Sequence, residues 1–312
     1  MSKFVFLFPG QGSQSIGMLE GLAAAYPQVQ DTFAEASQAL GFDLWRLVTQ
    51  GPVEELGRTE NTQPAMLAAG VAVWRVWLAR GGPMPVAMAG HSLGEYSALV
   101  CAGALDYAAA VATVAERGRL MQGAVPAGQG AMAAVLGLDD AQVAALCAAQ
   151  AEGEVLEAVN FNAPGQVVIA GAAGAVNRAV GAAKAAGAKR ALVLPVSVPS
   201  HCALMQPAAE RLAAYLAGVT VKAPQIPVIH NVTVETAADP DLIRSLLVRQ
   251  LASPVRWVET VQRLSAEASL ALEAGPGKVL TGLGKRIAPD LNTLPVLDPA
   301  TLESALEAAR HA

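Results

Sequence analysis

Ala89-Gly90-His91-Ser92-Leu93-Gly94-Glu95 decides how this chain is read. The stretch follows an apolar run, Val86–Ala89, and opens a second one, Glu95–Val100, with helical character. A G-x-S-x-G pattern between a strand and a helix builds a sharp, strained turn. Glycines two before and two after the serine let the backbone make that turn, and the Ser92 hydroxyl is pushed to the mouth of a sheet. The Leu93 N–H, at the helix start, then points where an oxyanion would form. Such a turn presents an acyl-transfer nucleophile. The pattern also arises by chance in Ala/Gly-rich chains, and the flanking strand and helix weigh against that.

Working outward, Phe4–Phe8 is a continuous apolar run ended by Pro9-Gly10, the mark of a strand buried on both faces. Helices are expected over 28–40 and 65–78, the second closed by Arg80 and Gly81-Gly82. Asp106 caps a helix to about 122. From about 128 to 196 the pattern is strand 131–136, helix to 150 behind Asp139-Asp140, strands 155–160 and 166–170 about a turn at Asn162–Gly165, helix 175–186, and strand 191–196. That β-α-β-β-α-β order is ferredoxin-like. Beyond Pro199, a helix at 204–216, a strand at 227–230, helices to 251 and over 255–264, a strand at 270–273 and a helix from Lys278 resume the alternation of a parallel sheet. The expected fold is therefore α/β: a hydrolase-like large domain with a parallel sheet, residues 1–127 and 197–312, carrying an inserted ferredoxin-like subdomain, residues 128–196.

The 312 residues, 53% hydrophobic and 15% charged, suffice for a well-buried sheet without staples. The longest charge-free stretches are broken by Pro, Gly, Gln and Asn, which makes poor membrane spans. The first apolar run is too short for a signal-peptide core, so a cytoplasmic protein is expected. Cys101, Cys147 and Cys202 have neither disulfide-framework nor zinc spacing. Cys202 beside His201 reads as a buried, inert thiol rather than a reactive one. A net charge of −5 with no basic run speaks against nucleic-acid binding.

A serine nucleophile needs a base within hydrogen-bond reach. Of four histidines, His91 points away from the nucleophile and suits packing, and His311 sits in a mobile C-terminus. His201, in the rigid turn Val198-Pro199-Ser200-His201 past a strand end, is favoured over His230. No third acid is evident between serine and histidine, because Asp106, Asp139 and Asp140 look like helix caps; a backbone or amide oxygen could orient the imidazole instead. Gly10-Gln11-Gly12-Ser13 follows the first strand, where backbone N–H groups can hold an anion. Arg117 or Arg119 could clamp a carboxylate, and composition does not choose between them.

Phe8-Pro9-Gly10-Gln11-Gly12-Ser13-Gln14, Gly90–Glu95, Glu116-Arg117-Gly118, Pro199-Ser200-His201-Cys202 and His230-Asn231-Val232, in this order and spacing, resemble the malonyl-CoA:acyl carrier protein transacylases of bacterial type II fatty acid synthesis. The resemblance spans nearly the whole chain. It implies Ser92 as the nucleophile that carries the malonyl ester and His201 as its base, then its acid. It implies oxyanion N–H groups from Gln11 and Leu93, the malonyl carboxylate on Arg117, and His201 oriented by the backbone carbonyl of Gln250. No metal or resident cofactor is implied. Malonyl-CoA is the substrate, and the partner is an acidic acyl carrier protein bearing 4'-phosphopantetheine. A monomer is expected, with Lys189-Arg190 and Lys285-Arg286 as candidate carrier contacts. A discrete polyketide or malonate decarboxylase acyltransferase would use the same chemistry. A serine thioesterase or hydrolase shares the elbow, but Arg117 and the missing acid argue against it.

Overall fold

The computed structural model describes residues 3–196 and 198–311. The chain passes through strands β1 (Phe4–Phe8) and β2 (Ala87–Gly90), then β3 (Gly130–Leu136), β4 (Leu156–Ala163), β5 (Gln166–Ala172) and β6 (Arg190–Val193). It returns through β7 (Val228–Ile229), β8 (Leu270–Ala274) and β9 (Asn292–Val296). A parallel sheet has the order β7-β2-β1-β8-β9, and an antiparallel sheet the order β4-β5-β3-β6. Residue 197, where the return to the larger domain is expected, lies outside the described residues, as do 1, 2 and 312.

β1 explains its own sequence. Phe4, Phe6 and Phe8 enter one core, where the Phe6 ring meets Trp74 at 5.3 Å and Trp77 at 5.1 Å. Val5 and Leu7 enter a separate core with Ala89, Val261 and Trp257 on the other face. A strand covered on both faces has no polar face to show, hence the unbroken apolar run. β1 pairs with β2 in the register Phe8↔Gly90, so the loop after β1 and the serine turn after β2 leave the sheet side by side at the carboxyl ends of the strands.

The smaller sheet is tied to the larger body close to that edge. Phe161 N donates to Val255 O (3.1 Å) and Val255 N to Val159 O (2.8 Å). Arg286 donates to the Pro164 carbonyl (2.9 Å) and to Gln166. A side chain at Gly130 would strike the Pro199 ring at 2.5 Å, so the two segments joining the sheets pass in direct contact.

The expected elements form with several shifts. Helix Thr59–Ala79 starts six residues earlier than the apolar periodicity suggests and includes Pro64, with the Thr62 hydroxyl bonding the carbonyls of Leu56 and Arg58 in its first turns. β4 extends through Asn162 and Ala163, leaving Pro164-Gly165 as the turn. Helix Ala173–Ala183 ends sooner than Gly187, and β6 stops at Val193. Helices Glu20–Ala25, Leu44–Gln50 and Val53–Gly57 were not anticipated, nor were β9 and helix Pro299–His311. His311 is therefore the last residue of a helix and not part of a loose tail.

Phe6→Ala is expected to cost about 3–5 kcal/mol in chemical denaturation, the range for emptying an aromatic core site. Leu192→Ala, at the exposed β6 edge, should stay within about 0.5 kcal/mol.

Candidate active site

The serine turn is set by backbone crowding. An added Cβ at Gly90 would sit 1.8 Å from the Gly94 carbonyl carbon, and one at Gly94 would sit 2.0 Å from the Phe8 carbonyl oxygen. Between them Ser92 is held at φ 51°, the left-handed region that L side chains avoid. Asn231 stitches the turn: its Oδ1 accepts the Ser92 N–H (2.7 Å) and its Nδ2 donates to the Gly90 carbonyl (2.7 Å). Helix Gly94–Cys101 begins immediately afterwards, with Leu93 at its N-cap.

His201 meets the serine from the opposite wall, also at a positive φ of 69°. Its Nε2 lies 2.8 Å from Ser92 Oγ and its Nδ1 lies 2.8 Å from the Gln250 carbonyl oxygen. A carbonyl accepts only, so the proton sits on Nδ1 and Nε2 is a bare acceptor for the serine hydroxyl. The His201 N–H is itself fixed to the Leu251 carbonyl at 3.0 Å. Burial, then the nearby Arg117 charge, pushes the imidazole pKa down to about 3, the Gln250 carbonyl opposing this in part.

Arg117 is fully buried beside the pair. It donates from Nη1 to Gln63 Oε1 (2.7 Å), and from Nη2 to Gln250 Oε1 (3.0 Å) and Ser92 Oγ (3.3 Å), while its guanidinium lies 5.5 Å from the Tyr96 ring centroid. Burial lowers its pKa, against the Tyr96 and Glu95 groups that raise it. Arg119, the other candidate, is paired with Glu116 at the surface (2.7 and 2.5 Å) and is not in the site. A cleft of about 500 Å³ opens over Ser92 and His201; Gln11, Gly12, Asn160, Leu194 and Val198 are among its lining residues. Gln11 thus reaches the cleft from the loop after β1.

Neither His91 nor His230 bonds Ser92 Oγ. His91 bonds Asn162 Oδ1 (2.8 Å) and packs on Trp257, linking the serine turn to the smaller sheet. His230 donates to Glu95 Oε1 (2.7 Å) and does not reach Ser92. The Cys202 thiol donates to the Pro199 carbonyl (3.1 Å) and burial pushes its pKa up to about 12. Sequence reasoning assigned no role to Gln63, Glu95 or Asn231. The available signal was a polar side chain at the head of an apolar helix, at Gln63 and again at Glu95. Among the described residues there is no group of three or more His, Cys, Asp or Glu placed to hold a metal, and no helix long and apolar enough to cross a membrane.

Residues 5–286 match the family described as acyl transferase domain. A relative from Salmonella typhimurium named malonyl CoA-acyl carrier protein transacylase is 60% identical over 307 residues, covering 98% of this chain and 99% of its own. One of the same name from Bacillus subtilis is 46% identical, covering 100% and 98%. Among solved structures, an acyl carrier protein S-malonyltransferase from Vibrio cholerae superposes with a TM-score of 0.95 at 59% identity, covering 97% of this chain and 100% of its own. A malonyl-transacylase in complex with a holo type II PKS acyl-carrier protein gives 0.97 at 57%, covering 98% and 100%.

Two outcomes follow from this geometry. Gly94→Ala should lower Tm and abolish serine acylation together, since its Cβ meets backbone rather than a movable side chain; calorimetry and intact mass would read both. The pH dependence follows from a folded His201 pKa far below the 6.5 of the free group. In acid the unfolded chain takes up a proton that the folded site refuses, so this contribution to stability is complete above about pH 6.5 and is lost as pH falls toward 3. For the same reason, kcat/KM for acylation should show no loss at the ordinary imidazole range, and a profile falling there would contradict the assigned environment.

Proposed function

From the premise that the chain belongs to the acyl transferase domain family, we propose that it moves a malonyl group from malonyl-CoA to the pantetheine thiol of an acyl carrier protein, through an ester on Ser92. One observation carries the choice of acyl group: a buried guanidinium 3.3 Å from the nucleophilic oxygen. In a malonyl thioester the free carboxylate is one methylene from the reacting carbonyl, so a cation that selects it must adjoin the nucleophile. An acetyl group would leave Arg117 without that partner. A hydrogen bond to a charged group contributes about 1.5–3 kcal/mol, so the discrimination is at least about tenfold.

The steps use groups already in contact. Ser92 Oγ attacks the thioester carbonyl as its proton passes to His201 Nε2. The carbonyl oxygen, now negative, turns toward the N–H groups of Gln11 and Leu93. Collapse expels the coenzyme A thiolate, which takes the proton from His201. The carrier's thiol then gives its proton to His201 and attacks the malonyl ester, and Ser92 recovers the proton as it leaves. The imidazole rests on a main-chain carbonyl, with no carboxylate behind it. That leaves a weaker base than a carboxylate-backed imidazole, closer in strength to what a thiol of pKa about 8.5 requires than to what water requires. Transfer is thereby favoured over hydrolysis.

The carrier is acidic in this reading, and Lys189, Arg190 and Lys285, all exposed, are available to meet it. Arg286 is committed to the Pro164 carbonyl and Gln166 instead. The enzyme works as a cytoplasmic monomer without a cofactor of its own.

Intact mass after brief mixing with malonyl-CoA should show a malonyl increment on the wild type and none on Ser92→Ala. A holo carrier protein should discharge the adduct faster than water does. Free malonate with no lasting adduct would instead make the protein a thioesterase. Arg117→Ala should lower kcat/KM for malonyl-CoA by about tenfold or more with a smaller effect on acetyl-CoA.

A further inference from the structure

Glu95 lies in the first turn of the helix behind Ser92, fully buried, and its carboxylate gathers three donors. Oε1 accepts from His230 Nδ1 (2.7 Å); Oε2 accepts from the Asn231 N–H (2.9 Å) and from Gln250 Nε2 (2.8 Å). Gln250 Nε2 also donates to the Ser92 carbonyl (3.0 Å), and Gln250 Oε1 accepts from Arg117 Nη2 (3.0 Å). The amide of Gln250 therefore lies between a carboxylate and a guanidinium. The guanidinium can only donate, and the carboxylate already receives donors on both oxygens. One orientation of the amide satisfies both neighbours; the reverse sets donor against donor at Arg117 and acceptor against acceptor at Glu95 and the Ser92 carbonyl.

We propose that Glu95 is a positioning residue for acyl-group selection: by holding Gln250 Nε2 it fixes which end of that amide faces Arg117, and so aims the guanidinium at the carboxylate of the incoming acyl group. This rests on the malonyl reading given above. Arg117 is gripped by two amide oxygens, Gln63 Oε1 and Gln250 Oε1, and Glu95 sets the polarity of the second. Without Glu95 the Ser92 carbonyl is the one acceptor left to the Gln250 NH2, so the amide turns more readily, and once turned its NH2 pushes the guanidinium out of register.

This role differs from simple support of the elbow in one measurable way. General damage to Ser92 or His201 slows every acyl donor alike, whereas loss of Arg117 aim slows donors that carry a carboxylate more than those that do not. The readout is thus the ratio of second-order rate constants for Ser92 acylation by malonyl-CoA and acetyl-CoA. In Glu95→Gln the new amide oxygen can face Asn231 and Gln250 while its NH2 faces His230, whose ring nitrogen Nδ1 can become the acceptor. That variant should keep the ratio within about threefold of wild type. Glu95→Leu, which offers no acceptor, should lower it about tenfold or more. Gln250→Leu keeps the backbone carbonyl on His201 but removes the amide, and should lower the ratio to a similar extent. It also decides the matter if Glu95→Leu does not fold. A folded Gln250→Leu that keeps the wild-type ratio, or equal slowing of both donors, overturns the role of Glu95. A wild type that takes acetyl as readily as malonyl would instead overturn the malonyl reading itself.

Discussion

The site depends on one close approach. The Gly94 backbone passes so near the Phe8 carbonyl oxygen that no side chain fits between them. This contact locks the end of β1 against the start of the serine helix and forces Ser92 into its left-handed conformation. The same contact sets the loop after β1, which carries Gln11 to the cleft, beside the turn that carries Ser92. The strain at Ser92 is held by Asn231, whose side chain bonds the Ser92 N–H and the Gly90 carbonyl that precedes it. Polar groups buried around the turn extend that hold to His201 and Arg117.

Much of this was legible in the chain because the signals are local. Asp106 and Asp139 cap helices at the N–H three residues on, as their positions predict, and Asp239 does the same. The alternation of strands and helices located both sheets, and the serine turn announced itself through its glycines. Elements without such punctuation were missed. Helix Glu20–Ala25 begins after Leu19 with no side-chain cap, and β9 carries a proline that its edge position tolerates. The turn motif favoured His201 over His230. What separates them, however, is a 2.8 Å contact across 109 residues of sequence, which no local pattern encodes. Gln63 and Glu95 were passed over for the same reason: a buried polar side chain makes sense only once its partners are known.

The electrostatics of the cleft are arranged around a neutral imidazole and a cation. Arg117 helps hold the His201 pKa down, which keeps the base free to take a proton, and the same guanidinium supplies the positive charge near the nucleophile. A carboxylate directly behind His201 would have raised its basicity and cancelled part of that field. The structure places the nearest carboxylate in this chain of contacts one residue further back, on the side-chain amide of Gln250, where it orders donors and acceptors without touching the imidazole.

The order of the strands in space also has a consequence for how the chain is made. The smaller sheet draws all its strands from residues 130–193 and can close as soon as that length has left the ribosome. β1, at the other extreme, is synthesised first and waits for both neighbours, β2 some eighty residues later and β8 at residue 270. Non-local pairing of that kind is slow and exposes apolar strand surface in the meantime. Among the described strands, β1 is thus the one that waits longest for its partners. Ser92 and Arg117 emerge well before His201 and Gln250, so the nascent serine has no base beside it until His201 has been made, more than a hundred residues later.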